Sequence, residues 1–201
     1  MKRIITMIII AMSIMMLASC LKKEKDGSMD LFNTVLTADE ALAQAKNTDT
    51  VVFEGNGVAS GKDVWESFCK KAAKGEKTSV LCAYYYTLDE QNISDELYEE
   101  EKDEYPVLYF KLIEFDGQSY HVKTRDSKSS DIETDETYKY LLHFTGKGPS
   151  TAIYENYEYY VLADDEIQTW EEIEKGLFSS QLEDHIRHDS VYSEYTGIKE
   201  G

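Results

Sequence analysis

Val107-Leu108-Tyr109-Phe110-Lys111-Leu112-Ile113-Glu114-Phe115-Asp116-Gly117-Gln118-Ser119-Tyr120-His121-Val122-Lys123-Thr124 is the stretch whose reading decides the fold. Two runs of β-branched and aromatic residues flank Asp116-Gly117. That dipeptide is the strongest short-range sign of a hairpin, because a type I′ turn needs positive φ at both central residues. The spacing predicts two antiparallel strands, Val107–Phe115 and Gln118–Thr124. Residues 125–136 beyond them are polar and serine-rich and read as a loop. Tyr138, Tyr140, Leu142 and Phe144 then alternate with Lys139, Leu141 and His143 as another strand, and Ile153–Ala163 is the last long one. A short helix is expected over Thr169–Lys175 with Trp170 and Ile173 turned inward, and Leu177–Gly201 mixes helical and coil signals.

Working back toward the N-terminus, Ser79–Leu88 carries apolar residues on both faces, as a central strand does. Asn92–Glu104 predicts a short acidic helix stopped at Tyr105-Pro106. Ser60–Lys74 is the clearest helix, capped through Ser60 and Asp63, with Val64, Trp65, Phe68 and Ala72 on one face. Thr50–Glu54 is a strand followed by a glycine-rich turn, and Thr37-Ala38-Asp39-Glu40 is a capping box opening a helix to Lys46. Helices first and then mostly sequential strands imply an α+β fold: an antiparallel sheet of about five strands with short helices packed on one face.

The first residues, Met1-Lys2-Arg3, lead into an apolar run from Ile4 to Leu17, the layout of an export signal. The run is too short to span a bilayer and gives way to Lys22-Lys23-Glu24-Lys25-Asp26. It ends in Leu17-Ala18-Ser19-Cys20, which resembles the lipobox of bacterial lipoproteins. That resemblance implies cleavage before Cys20, lipid on its thiol, and anchoring at the outer face of the cell membrane without a transmembrane helix. Three segments are therefore expected: a signal peptide over 1–19, a lipidated N-terminus and flexible tether over 20–36, and one extracytoplasmic domain over 37–201.

Loss of residues 1–19 removes Lys2 and Arg3 and no acid, taking the formal charge from −18 to −20. Such a surface repels phosphate backbones and anionic lipid headgroups, which excludes nucleic acid as a partner and leaves cations, basic proteins and neutral ligands. Only Cys69 and Cys82 remain after lipidation, and two buried free thiols are the better reading than a disulfide.

Motifs with chemistry in them are few. Residues 54–62 place glycines between a strand and a helix, but Asn56 stands where a P-loop needs glycine and Asp63 would oppose a phosphate. Asp184-His185-Ile186-Arg187-His188 spaces two imidazoles for a shared metal, with too few ligands and an arginine between them. Asp131-Ile132-Glu133-Thr134-Asp135 alternates carboxylates but lacks the glycine and final acid of a calcium loop. No serine lies in a nucleophile elbow. Cys69 or Cys82 with His121 or His143 would need a thiolate that apolar surroundings disfavour. No metal, cofactor or catalytic residue is expected. The tyrosines stand out: Tyr84-Tyr85-Tyr86 and Tyr154, Tyr157, Tyr159 and Tyr160 would give rigid amphipathic contact area for a peptide or sugar.

Trp65 to Phe68, Tyr85 to Glu90, Glu96 to Pro106, and Tyr157 to Leu162 with Trp170 together resemble a group of small exported proteins of Gram-positive gut bacteria. The resemblance implies a compartment and carries over no activity and no site residues. The expectation is a non-catalytic binding or accessory module that contacts a peptide, glycan or protein. The alternative is an extracytoplasmic hydrolase using carboxylates or a histidine. A deep pocket with converging acids and His121 or His143 would favour the enzyme, and a shallow tyrosine-lined surface the binder.

Overall fold

The computed structural model describes residues 27–55, 57–90 and 93–198, so the expected signal peptide and Cys20 lie outside the described residues. The chain runs through helices α1 (Gly27–Phe32) and α2 (Ala38–Ala45), strands β1 (Thr50–Glu54) and β2 (Gly57–Ser60), and helix α3 (Lys62–Ala72). Strand β3 (Thr78–Tyr86), helix α4 (Asp95–Glu101) and strands β4 (Val107–Phe115), β5 (Tyr120–Asp126) and β6 (Thr134–Tyr138) follow. Strands β7 (Tyr140–Lys147) and β8 (Asn156–Ala163), helix α5 (Trp170–Leu177), a 3₁₀ turn at Leu182–Asp184 and strand β9 (His188–Thr196) complete it.

The fold is α+β, with more strands than the expected five. A six-stranded sheet is ordered β2-β1-β3-β4-β5-β6, and a three-stranded sheet is ordered β7-β8-β9. The larger sheet is mixed, because β1 and β3 are parallel. Helix α3 lies between them in sequence and supplies the crossover that a parallel pair requires. Helices also occupy both faces of this sheet. Alternation along the strands makes this necessary: Val51, Phe53, Val80, Cys82, Ile113 and Phe115 face one core, while Val52, Leu81, Ala83, Leu108, Phe110 and Leu112 face the other. The second core is closed by α1 and α2 through Leu31, Phe32, Ala38, Ala41 and Ala45. The first is closed by Trp65, Phe68 and Ala72 of α3 together with Leu162, Val191 and Tyr192 of the smaller sheet. The far side of the smaller sheet takes α5, whose Ile173 packs with Phe144, Val161, Ala163 and Ile167.

Local signals account for most boundaries. The capping box of α2 is complete: the Glu40 N–H donates to Thr37 Oγ1 at 3.4 Å and the Thr37 N–H to Glu40 Oε2 at 3.0 Å. The cap of α3 differs from expectation, since Gly61 is the N-cap with φ 79° and makes no side-chain bond, while Ser60 ends β2. The β4–β5 hairpin is present, but its turn is not type I′. Only Gly117 has positive φ, at 100°. Phe115 pairs with Tyr120 across a four-residue turn in which the Asp116 carboxylate accepts from the N–H groups of Gln118 and Ser119 at 2.8 and 2.9 Å. A side chain that supplies both bonds removes the need for a second left-handed residue.

Four further differences matter. The glycine-rich turn expected after β1 is a hairpin into β2. The alternating run through Tyr138 and Tyr140 is two strands, β6 and β7, because the chain leaves one sheet for the other at Lys139. The tail expected to be irregular contains β9. Residues 27–32, within the stretch expected as tether, form α1 and bury Leu31 and Phe32.

A single arginine fastens α1. Arg125, 2% exposed, forms no ion pair within 4.0 Å among the described residues and instead donates to the carbonyls of Leu31, Phe32 and Thr34 on one side and Asp126, Ser127 and Ser129 on the other. Its guanidinium lies between the rings of Phe32 and Phe110, at 5.4 and 5.1 Å from their centroids. The carbonyls at the end of a helix carry partial negative charge, so a cation there is neutralised without a carboxylate.

Candidate binding surface

The expected tyrosines divide according to strand alternation. Tyr84 stacks on Phe53 at 4.7 Å and donates to the Val191 carbonyl at 2.7 Å, joining the two sheets. Tyr85 points the other way and donates to Asp39 Oδ1 at 2.8 Å. Tyr86 is half exposed beside Tyr109. Tyr160 faces the first core against Trp65 and Tyr192, so it leaves the group expected on one surface. These are structural roles.

The remaining tyrosines of β8 build a surface. Tyr157 and Tyr159 lie on the α5 side of the smaller sheet, stacked at 4.6 Å. Tyr159 touches Trp170 of α5 at 4.7 Å and Tyr195 of β9 at 5.9 Å, and Tyr154 meets Tyr195 at 4.4 Å. All five rings are partly exposed. Helix α5 packs Ile173 on the Val161–Ala163 end of the sheet and adds Trp170 to these rings, which it leaves partly exposed. Two glycines make the arrangement sterically feasible: a Cβ at Gly146 would lie 2.5 Å from Cζ of Tyr157, and one at Gly148 2.6 Å from Cε2 of Tyr154. The tyrosine rings therefore lie across the end of β7. The Tyr159 hydroxyl donates to the Tyr195 hydroxyl at 3.3 Å, and burial together with that bond raises its pKa far above the usual phenol range. Burial, and then the charges of Glu171 and Glu174, also raise that of Tyr157. The platform is uncharged, hydroxyl-bearing and edged by carboxylates.

The two histidines of the hydrolase alternative are each engaged. His121 stands between Asp116 Oδ2 at 3.2 Å and Thr137 Oγ1 at 3.1 Å, at the rim of a 480 Å³ groove. A hydroxyl, an imidazole and a carboxylate in line have the composition of a nucleophilic triad. Thr137 and Asp116 are exposed, however, and the Asp116 carboxylate is already committed to its turn, which holds its pKa down to about 2. His143 lies 2.9 Å from Glu158 Oε1 and stacks on Tyr160. Glu158 and Glu194 are directly opposed in register above a 450 Å³ groove, and Lys62 binds Glu194 at 2.5 Å. An acid–base carboxyl pair needs one member in an apolar pocket. Here each stands against its own nitrogen partner, and His143, which does not line the groove, is 46% exposed.

The other motifs are accounted for structurally. The His185 ring meets the Ser179 carbonyl at 3.0 Å and the His188 ring that of Ile186 at 2.7 Å. Arg187 between them pairs with Asp164 at 2.5 Å and lies over Tyr138. Asp135 is in β6 opposite Lys123. No group of three metal-ligating side chains occurs among the described residues. Cys69 and Cys82 are free, and burial raises both thiols to about 12, so neither is a thiolate at neutral pH. Among the described residues no helix is long and apolar enough to cross a membrane.

Sequence reasoning missed Tyr195 and the platform role of Trp170. The signal for the first was present in Val191-Tyr192-Ser193-Glu194-Tyr195, which alternates as a strand does. The chain matches no protein-family model, no curated protein and no solved structure.

Proposed function

We propose that this chain is a non-catalytic binding module, held at the outer face of the cell membrane by lipid on Cys20, that recognises its ligand through the aromatic platform of Tyr154, Tyr157, Tyr159, Trp170 and Tyr195. The observation that carries the reading is the continuous contact of five partly exposed rings, four beside one face of the smaller sheet and Trp170 on α5. Rigid rings with hydroxyls offer large contact area at low entropic cost and suit a peptide or glycan. The strong negative charge favours basic or neutral ligands.

The chain contains two tryptophans, of which Trp65 is 1% exposed, so ligand-induced changes in emission report on Trp170. Titration of the protein with peptides and wall glycans is expected to shift that emission in wild type and not in Tyr157→Ala or Tyr159→Ala. Turnover of a wall substrate that disappears in His121→Ala or His143→Ala would establish the hydrolase alternative instead. The anchor is tested separately: Cys20→Ser is expected to release the protein from membranes and abolish labelling by radioactive palmitate.

A further inference from the structure

Sheet edges expose unpaired backbone groups, and folded proteins usually blunt them. Among the described residues the two sheets have four edges, and three of them are blunted. Strand β2 has only four residues. Strand β6 is acidic at Asp135 and Glu136, and its Thr137 carbonyl accepts from Arg187. Strand β9 lies against β2, where a Cβ at Gly57 would sit 3.6 Å from Glu194 Cα, and its Val191 carbonyl takes the Tyr84 hydroxyl.

Strand β7 is different. It is eight residues long, and between Tyr140 and Gly146 it bears no permanently charged side chain. The Gly148 N–H donates to the Glu155 carbonyl at 2.9 Å. In an antiparallel pair the bonded residues alternate, so the even positions of β7 face β8, and Leu141, His143 and Thr145 turn their N–H and C=O groups to the open side. Among the described residues nothing bonds to those groups. The glycines at 146 and 148 let the rings of Tyr157 and Tyr154 reach over the same strand toward the same edge. Open backbone and aromatic platform therefore meet along β7.

We infer that β7 takes an extended basic segment of a partner protein as an added strand, with alternate side chains of that segment resting on Tyr157 and Tyr154. This inference rests on the platform reading above. Main-chain bonds to Leu141, His143 and Thr145 supply affinity, and the alternating side chains supply selection. Charge complementarity selects a basic partner: the chain carries −18, Glu171 and Glu174 act on Tyr157, and Glu158 stands behind His143 on the opposite face. Lysine or arginine over a tyrosine face gains a cation–π contact. A second copy of this acidic chain would bring like charges together.

All described elements lie within residues 27–198, so the chain from residue 20 onward, carrying Cys20→Ser, keeps every one of them. Its binding to a fluorescein-labelled ten-residue peptide, alternating lysine with valine and threonine, is followed by anisotropy. Thr145→Pro removes one outward N–H and spares the bonds to β8, a position where an edge strand tolerates proline. The expected result is binding by wild type that weakens about tenfold or more in Thr145→Pro, in Tyr157→Ala, and when alternate peptide nitrogens are methylated. Circular dichroism checks that Thr145→Pro is folded, and if it is not, the methylated peptide decides. Binding indifferent to both backbone changes but lost in Tyr157→Ala overturns strand addition and leaves the platform reading standing. Binding lost through the backbone changes but indifferent to Tyr157→Ala overturns the tyrosines' part and the platform reading with it. No binding, or equal binding of a glutamate version, overturns the basic partner. Self-association in sedimentation that Thr145→Pro abolishes would make the occupant a second copy and overturn it too.

Discussion

The two sheets of this molecule differ in how much of themselves they hide. The six-stranded sheet is packed on both faces, by α1 and α2 on one side and by α3 with the smaller sheet on the other. Its central strands are correspondingly apolar from side to side, as in Val80-Leu81-Cys82-Ala83. The three-stranded sheet buries one face and packs a single helix on the other, where Tyr157 and Tyr159 stay partly exposed. Its strands change character along their length, from Val161-Leu162-Ala163, fully buried, to Tyr157 and Tyr159, partly exposed. The same strand thus serves as core at one end and as surface at the other. The larger sheet is built for stability, and on the reading proposed above the smaller one presents rings and an open edge to a ligand.

Substitutions in the two regions should separate along this line. Trp65→Ala strikes the layer that joins the sheets, where the indole contacts Phe68, Tyr160 and Tyr192. It is expected to cost about 3–5 kcal/mol in denaturant unfolding, and a small loss would mean that the two sheets are not packed as one core. Arg125→Met leaves buried carbonyls of two segments without a donor and should cost about 2–4 kcal/mol, with amide exchange rising first in α1. Tyr154→Ala and Tyr195→Ala, on the half-open face, should change stability by no more than about 1 kcal/mol while abolishing ligand-dependent changes in Trp170 emission. If they instead unfold the protein, the platform is core and the contrast between the sheets fails.

The smallest effect belongs to the β4–β5 turn. The N–H of Ser119, then that of Gln118, then His121 hold the Asp116 carboxyl down to about 2 from 3.8. A depressed carboxyl stabilises the fold above its unfolded pKa and ceases to as pH falls through the folded value. The difference in Tm between wild type and Asp116→Ala should therefore be present at pH 7, shrink below about pH 4 and be mostly lost near pH 2. A difference that persists at pH 2 would assign the effect to the shape of the turn and not to charge.

Much of this architecture was legible in the residues, and the failures share a cause. Hairpin, capping box, the α3 face and the buried central strand all follow from local periodicity, which near neighbours determine. The parallel pairing of β1 with β3 and the split at Lys139 depend on where the chain goes next, and no local pattern records that. Tyr138 to Phe144 alternate without a break because each sheet wants alternation there. The platform was half legible: Tyr154, Tyr157 and Tyr159 stood out as a cluster in β8 and its approach, but Tyr160 alternates to the other face. Trp170 and Tyr195 arrive from elements distant in sequence, so only the fold reveals their company.

The guanidinium of Arg125 has a mechanical side. On the lipid-anchor reading, drag on the molecule reaches the described residues at Gly27, and α1 is fastened near its far end by a guanidinium that lies between two phenyl rings and bonds the carbonyls of Leu31, Phe32 and Thr34 on that side and three more on the other. A tug would have to shear that fastening as a set, since no single contact carries the load alone. On that reading α1 is a mooring point, and the smaller sheet, proposed above to face a ligand, is left free of the strain.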